Sequence, residues 1–458
     1  MSINILFINA IDVRKSQERI FAPLGLGYLA SSIRKNFGNE MFNIKIINHD
    51  IENEYRSFKP DIVGISSVSQ NFNRALEYGA FFHSKGVPVI YGGTHISTLP
   101  TSLPDNAVLG VIGEGEITIC EILDNFLQKD GFSTRNFSNI KGIAYHENGK
   151  ITLTPKRDLI QPLDQIPFPA RDLLNISTST YMFTSRGCPY KCVFCASTRF
   201  WDKVRLFTAE YVVEEIKMLV SEYHVTQITF YDDLFIVSKE RVKRIINLLE
   251  ANNLLGKIKF FCSARADLID DEIVKLLKKL GVQAVAMGLE SGSKRTLDYL
   301  KMHTTTVQEN SDAIDRIKSF HMHCSASFIF GAPEETKAEV LETLRFIRHS
   351  KLDDFDFYLL TPYPGTPIWE YALQKSLVNN QSMNWDILDV TFHNIKNAII
   401  LSGVLSRKEL LELAQQFQRE KIRKRIMPLL KKALFQPWKI PRYLFRLLIH
   451  YKTSKHDN

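Results

Sequence analysis

Three cysteines lie within eight residues: Cys188, Cys192 and Cys195, in Thr184-Ser-Arg-Gly-Cys-Pro-Tyr-Lys-Cys-Val-Phe-Cys195. The spacing is C-x3-C-x2-C, with Phe194 just before the last sulfur. A cubane iron–sulfur cluster is ordinarily closed by four cysteine thiolates. Three thiolates on one loop can hold three irons and leave the fourth iron open to chelate a small molecule. A structural zinc site fits poorly, because it needs four ligands, usually in two pairs a dozen or more residues apart. Neither His224 nor Cys262 completes a second pair. Disulfides fit poorly as well: there are only six cysteines in 458 residues, and no signal peptide is recognisable. Cys120, Cys262 and Cys324 sit in apolar runs and read as small core residues.

The elements around the triplet decide what could meet that open iron. Downstream, apolar strand runs begin near Tyr181, Gln227, Ile258, Gln283, His323 and Asp356. Helical patterns separate them at Ala209–Tyr223, Lys239–Asn252, Asp270–Leu280, Val307–Phe320 and Lys337–His349. Thr306-x-x-Glu309 and Thr336-x-x-Glu339 are capping boxes. Six strand–helix units predict an open partial (β/α)6 barrel over 181–375, with working residues at the carboxyl ends of its strands. Those ends hold Asp232 and Asp233, then Arg265 and Asp267, then Glu290 and Ser291, then Gly331. The last strand runs into Thr361-Pro-Tyr-Pro-Gly-Thr-Pro367, a rigid loop. Adjacent carboxylates at a strand end are costly unless they meet a cation or donors, and an arginine can grip a carboxylate with two parallel hydrogen bonds. Local alternatives stay open: Asp232 and Asp233 as helix caps, Arg265 paired with Asp267, and Glu290 paired with Lys294 or Arg295.

Upstream, residues 1–130 alternate strands (Asn4–Ile8, Phe42–Ile47, Ile62–Ser66, Val87–Tyr91, Ala107–Ile112) with helical patterns such as Leu26–Lys35 and Asn73–Ser84. This α/β alternation predicts a doubly wound, Rossmann-like parallel sheet whose ligand crevice lies at the carboxyl strand ends. The loops there contain Ser67, Gly92, Gly93, His95 and Glu114, and paired glycines let a backbone approach a bulky ligand. Residues 131–180 read as a connector with a hairpin turning at Asn148-Gly149.

The cysteine spacing and the strand-end residues closely resemble radical S-adenosylmethionine (SAM) enzymes. Together with Pro23-Leu-Gly-Leu-Gly-Tyr-Leu-Ala30 and the glycine loops, the chain from residue 1 to about 375 resembles the cobalamin-binding-domain branch of that family, called class B where the reaction is methylation. The resemblance implies a 4Fe–4S cluster on Cys188, Cys192 and Cys195, SAM and cobalamin as cofactors, and reductive cleavage of SAM to a 5′-deoxyadenosyl radical. It also implies SAM held by Asp232, Asp233, Arg265, Glu290 and Ser291 with the Gly331 loop at the adenine, an electron donor such as flavodoxin or ferredoxin, and a small-molecule or lipid-like substrate. Methylation of an unactivated carbon or phosphorus is the leading expectation. Ring closure or oxidation without methyl transfer is the second, and a non-catalytic iron–sulfur or cobalamin sensor the third. Methylthiolation fits less well, since the first 180 residues hold only Cys120. One departure stands out: no histidine sits in the D-x-H-x-x-G pattern that supplies a lower cobalt ligand, and Phe81 takes the Asp position ahead of His83. His95 is then expected as a loop residue near the corrin or its tail, with a plain turn role as the alternative.

Charge is unevenly spread. Residues 417–458 hold 12 of the 58 basic residues against Glu420 and Asp457, leaving the rest at 46 basic to 48 acidic. This argues against a nucleic-acid groove across the protein. Residues 376–458 are expected to be helical and basic. Leu429–Phe435 and Tyr443–Ile449, with Trp438 between them, have the mixture of an interfacial anchor, which suggests peripheral membrane contact. A helix packed on the body with a solvated basic face is the alternative. A reducing cytoplasm, or the inner face of its membrane, is the expected location.

Overall fold

The computed structural model describes residues 2–12, 21–129, 131–132, 134–380, 383–389 and 396–435. The chain divides into two compact units, one of Met1–Cys188, Ala196–Val225 and Tyr363–Leu388, the other of Pro189–Cys195, Thr226–Pro362 and Asp389–Asn458.

In the first unit, β1 (Ile3–Asn9), β2 (Phe42–Ile47), β3 (Ile62–Ser66), β4 (Val89–Gly92) and β5 (Leu109–Val111) are parallel and stand in the order β2-β1-β3-β4-β5. These strands are nearly continuous apolar runs, as expected of a parallel sheet covered on both faces. Ile5, Phe7, Ile44, Ile62, Ile90 and Leu109 pack with Leu26, Ala30 and Ile33 of the helix Leu24–Phe37 and with Ile119, Ile122 and Leu123 of the helix Glu116–Lys129. The expected hairpin forms as β6 (Ile143–Glu147) and β7 (Lys150–Leu153), with Asn148 and Gly149 both at positive φ. It does not stand apart as a connector. β6 pairs antiparallel with β5, so the sheet gains two strands and reaches seven.

The strands β8 (Ser179–Met182), β9 (Ser185–Arg186) and β10 (Arg205–Leu206) follow, and β9 and β10 pair antiparallel. In the second unit, β11 (Gln227–Phe230), β12 (Lys259–Ala264), β13 (Val282–Glu290), β14 (His323–Phe330) and β15 (Asp354–Leu359) are parallel in chain order. Thus all six strand runs expected after residue 180 form. Both capping boxes form too, with Thr306 and Thr336 accepting from the backbone of Glu309 and Glu339.

The segment after the barrel differs from the helical expectation. Between residues 376 and 406 the described residues hold only a short turn at Trp385–Leu388 before the helix Arg407–Phe435 begins. Leu410, Leu413, Ala414 and Phe417 of that helix are buried at helical spacing, and the Phe417 ring stacks 5.2 Å from both Phe330 and Phe357. Lys421 pairs with Asp356 and Arg425 with Asp354, while Lys424 donates to the Ser350 carbonyl. The helix thus covers β15, the edge strand, and its basic residues meet that strand's acidic ones. Residues 407–427 are thus a helix packed on the sheet, while the segment for which anchor and packed helix are the alternatives begins at Leu429. Trp438 and Tyr443–Ile449 lie outside the described residues, as do the side chains of Leu429–Phe435.

Candidate functional site

The second unit carries the larger set of strand-end residues. Asp232, after β11, is buried, and Asp233 beside it is exposed. Neither caps the helix Lys239–Ala251. Ser238 does, its hydroxyl accepting from the Arg241 backbone. The Cys262 thiol is pushed up to about 12, first by burial and then by the Asp232 charge.

Arg265, after β12, is 7 % exposed and engaged on several sides. Its Nε donates to Asp267 Oδ1 at 2.9 Å, one terminal nitrogen lies 3.7 Å from Cys192 Sγ, and the other donates to Thr304 Oγ1 at 3.0 Å. The guanidinium lies 3.3 Å from the centroid of the Tyr190 ring, and the Tyr190 hydroxyl donates to Asp267 Oδ2 at 2.6 Å. Burial and the bond to Asp267 push the Tyr190 phenol up to about 12, so it stays a donor. The Arg265–Asp267 alternative is therefore realised, and its partners Tyr190 and Thr304 were missed. The available signal was Tyr190's place between two of the cysteines.

Glu290 ends β13 at φ 62°, where the register with β14 slips. Neither Lys294 nor Arg295 is its partner, since they pair with Asp298 and Glu339. Lys301 approaches instead, 3.6 Å from Glu290 Oε1 and donating to the Gly288 carbonyl at 2.6 Å. A Cβ at Gly288 would run into the Glu290 carboxylate, so this glycine is what makes room. Burial raises the Glu290 pKa against the pull of Lys301. Ser291 is a turn residue: its hydroxyl bonds Thr343 Oγ1 and accepts from the Ser293 backbone, both at 3.0 Å. Gly331, at φ 83°, donates its N–H to Glu335 Oε2 at 2.6 Å, and burial pushes that carboxyl up to about 7.

None of the six cysteines is in a disulfide. Among the described residues no three His, Cys, Asp or Glu side chains gather tightly enough for a single metal ion. The donor set suits a cubane, which is held by thiolates. In the second unit, Cys192 and Cys195 are joined by a turn (Cys195 N to Cys192 O, 3.2 Å), and Cys192 Sγ faces the Arg265 guanidinium.

In the first unit, the loops after β3, β4 and β5 are stitched together. Ser67 N–H donates to the Gly92 carbonyl, His95 N–H to the Ser67 carbonyl, and Ser97 Oγ links the Gly93 carbonyl to Gly113 N–H. A Cβ on Gly93 would come within 2.8 Å of the Ser67 backbone, so that glycine serves the stitching. Gly92 and Gly113 differ: a Cβ there would meet only Val111 at 3.9 Å, or nothing within 4 Å. With exposed Val68 after β3, three neighbouring strand ends offer bare backbone and apolar surface, which fits a flat macrocycle.

Two residues of the expected cobalamin set have their polar atoms committed to protein partners. His95 lies in the helix Thr94–Thr98 rather than in a loop, fully buried, with Nδ1 3.0 Å from Ser69 Oγ and Nε2 2.9 Å from Ser102 Oγ. Its ring stacks on Phe72 at 3.8 Å and meets Trp385 edge-on. Both ring nitrogens are occupied, so in this conformation it offers no atom to a cobalt. Glu114 accepts from Arg186, from Arg205 at 2.8 Å and from the Ile160 backbone at 2.7 Å, so its carboxylate holds two buried arginines together. Arg186, which also pairs with Glu116, was overlooked although it precedes Cys188 by two residues.

The Radical SAM superfamily profile matches residues 182–347, and the B12 binding domain profile matches residues 12–123. The chain is 35 % identical over 384 residues to "Uncharacterized methyltransferase PH0819" of Pyrococcus horikoshii, covering 79 % of this chain and 80 % of that protein. It is 24 % identical to the anaerobic magnesium-protoporphyrin IX monomethyl ester cyclase of Cereibacter sphaeroides, covering 93 % and 70 %. In fold it is similar to the radical SAM methyltransferase TsrM of Kitasatospora setae, with a TM-score of 0.67, 18 % identity, and 83 % and 78 % of the two chains covered.

Proposed function

The chain belongs to the radical SAM superfamily and carries an N-terminal B12-binding domain, and on that premise we propose that it is a methyltransferase acting on an unactivated carbon or phosphorus. The observation that carries this reading is the match over four-fifths of its length to a relative named a methyltransferase. When bound, SAM at a reduced cluster supplies a radical able to remove a substrate hydrogen, and cobalamin supplies the methyl group. The chain's own part is to bind and orient. Asp233, exposed beside buried Asp232, meets the SAM ammonium, Glu290 accepts from the ribose, and the Gly331 loop lines the adenine. Gly92 and Gly113 let the corrin approach the backbone. The substrate is a small molecule or a lipid-like one, and the reducing electron comes from a flavodoxin- or ferredoxin-type donor.

The test needs no substrate. Anaerobically reconstituted protein is mixed with reduced cobalamin and SAM labelled in its methyl group. Label recovered on protein-bound corrin, together with S-adenosylhomocysteine, is the expected result. A broad band near roughly 400 nm that is lost in Cys188→Ala reports the cluster. Formation of 5′-deoxyadenosine with no label on the corrin would replace methyl transfer by ring closure or oxidation, for which the cyclase relative is the precedent.

A further inference from the structure

We propose that Arg265 acts on the cluster rather than on SAM: held by Tyr190, Asp267 and Thr304, it donates an N–H to the Cys192 sulfur and raises the cluster's reduction potential. This rests on the reading of the three cysteines as cluster ligands.

A guanidinium has five N–H donors. Four of them are taken, by Asp267 Oδ1, Cys192 Sγ, the Thr304 carbonyl and Thr304 Oγ1. A bidentate grip on a SAM carboxylate needs two parallel N–H groups, and one remains.

The Tyr190 ring covers one face of the guanidinium, and its hydroxyl bonds the same carboxylate that Arg265 Nε bonds. Tyr190 and Cys192 are separated by one residue, Lys191, so the loop that supplies the sulfur also supplies the platform under the cation. The Val193 N–H adds a tie to the Leu300 carbonyl at 3.1 Å.

The Arg265 side chain is 8 % exposed and that of Asp267 14 %, so the charge acts with little screening by solvent. Reduction adds one negative charge to the cluster, and an N–H donor and a fixed positive charge at a ligand sulfur favour the reduced form. Thr304 and Asp267 prevent the guanidinium from turning away.

The measurement is the midpoint potential of the reconstituted cluster, followed by electron paramagnetic resonance in a redox titration without SAM, with SAM affinity measured separately. Arg265→Gln is expected to lower the reduction equilibrium constant about tenfold, or about 59 mV for one electron, with SAM affinity changed less than threefold. Arg265→Lys restores part of the shift, because it keeps the charge and loses the planar fork. Tyr190→Phe, which keeps the ring and loses the hydroxyl that bonds Asp267, gives a smaller shift of the same sign. Should Arg265→Gln fail to hold a cluster, Arg265→Lys and Tyr190→Phe carry the comparison. Unchanged potentials with a tenfold loss of SAM affinity would overturn the proposal and return Arg265 to the SAM carboxylate. Absence of any cluster in the wild-type protein would instead defeat the underlying reading of the cysteines.

Discussion

At the scale of single residues, charge and burial decide what each group does. His95 is the sharpest case. Burial lowers its pKa to about 3, so the imidazole is neutral in the folded protein at every pH near neutrality. The unfolded chain binds the proton at about 6.5. Its contribution is therefore fully present above about pH 6.5, declines as the pH falls, and is gone below the folded value. The slope reaches at most about 1.4 kcal/mol per pH unit. Chemical denaturation at pH 7 and pH 5 should show a smaller acid loss for His95→Gln than for the wild type. Equal losses would mean that the ring is solvated.

At the scale of elements, buried ion pairs fix how loops and helices meet. Arg171, in the turn Arg171–Leu173, donates to Glu215 of the helix Ala209–Tyr223 at 2.6 Å, with side chains 1 % and 0 % exposed. A pair so deep gains little over an apolar pair of equal volume, yet removing one partner strands the other charge. Glu215→Ala should cost about 3–5 kcal/mol in guanidinium unfolding. Replacing both, as Arg171→Met with Glu215→Leu, should cost much less. A loss below about 1 kcal/mol for the single variant would contradict the buried-charge account. The strand-end glycines obey a different rule. Gly93 is fixed by backbone stitching, whereas Gly113 leaves its space open.

At the scale of the whole molecule, no described helix is long and apolar enough to cross a membrane. The basic excess lies in residues 417–458, near the C-terminus. Lys421 and Arg425 pair with the edge strand and Lys424 donates to the Ser350 carbonyl, so these three are engaged within the fold. Vesicles containing phosphatidylserine should bind the full chain at low salt and release it as salt rises, and deletion of 436–458 should abolish binding. If the full chain stays unbound at low salt, the membrane-contact proposal falls.

The cysteine spacing, the six downstream strand runs, the N-terminal strand–helix alternation and both capping boxes were legible in the sequence. Each is a local signal, set by spacing, periodicity or a cap three residues from its partner. Partner choice was not legible. Lys301 rather than Lys294 or Arg295 approaches Glu290 because a register slip and a bare glycine open that path. Glu114 turns to Arg186 and Arg205, 72 and 91 residues away, because a carboxylate removed from water takes whatever cations the fold brings to it. Arg265 ends beside Cys192, 73 residues away, because the end of β12 brings it to the cysteine loop. Sequence spacing thus determined which chemistry the chain can host. Tertiary structure decided which atoms remain available for it, because burial commits polar groups to neighbours that only the folded chain supplies.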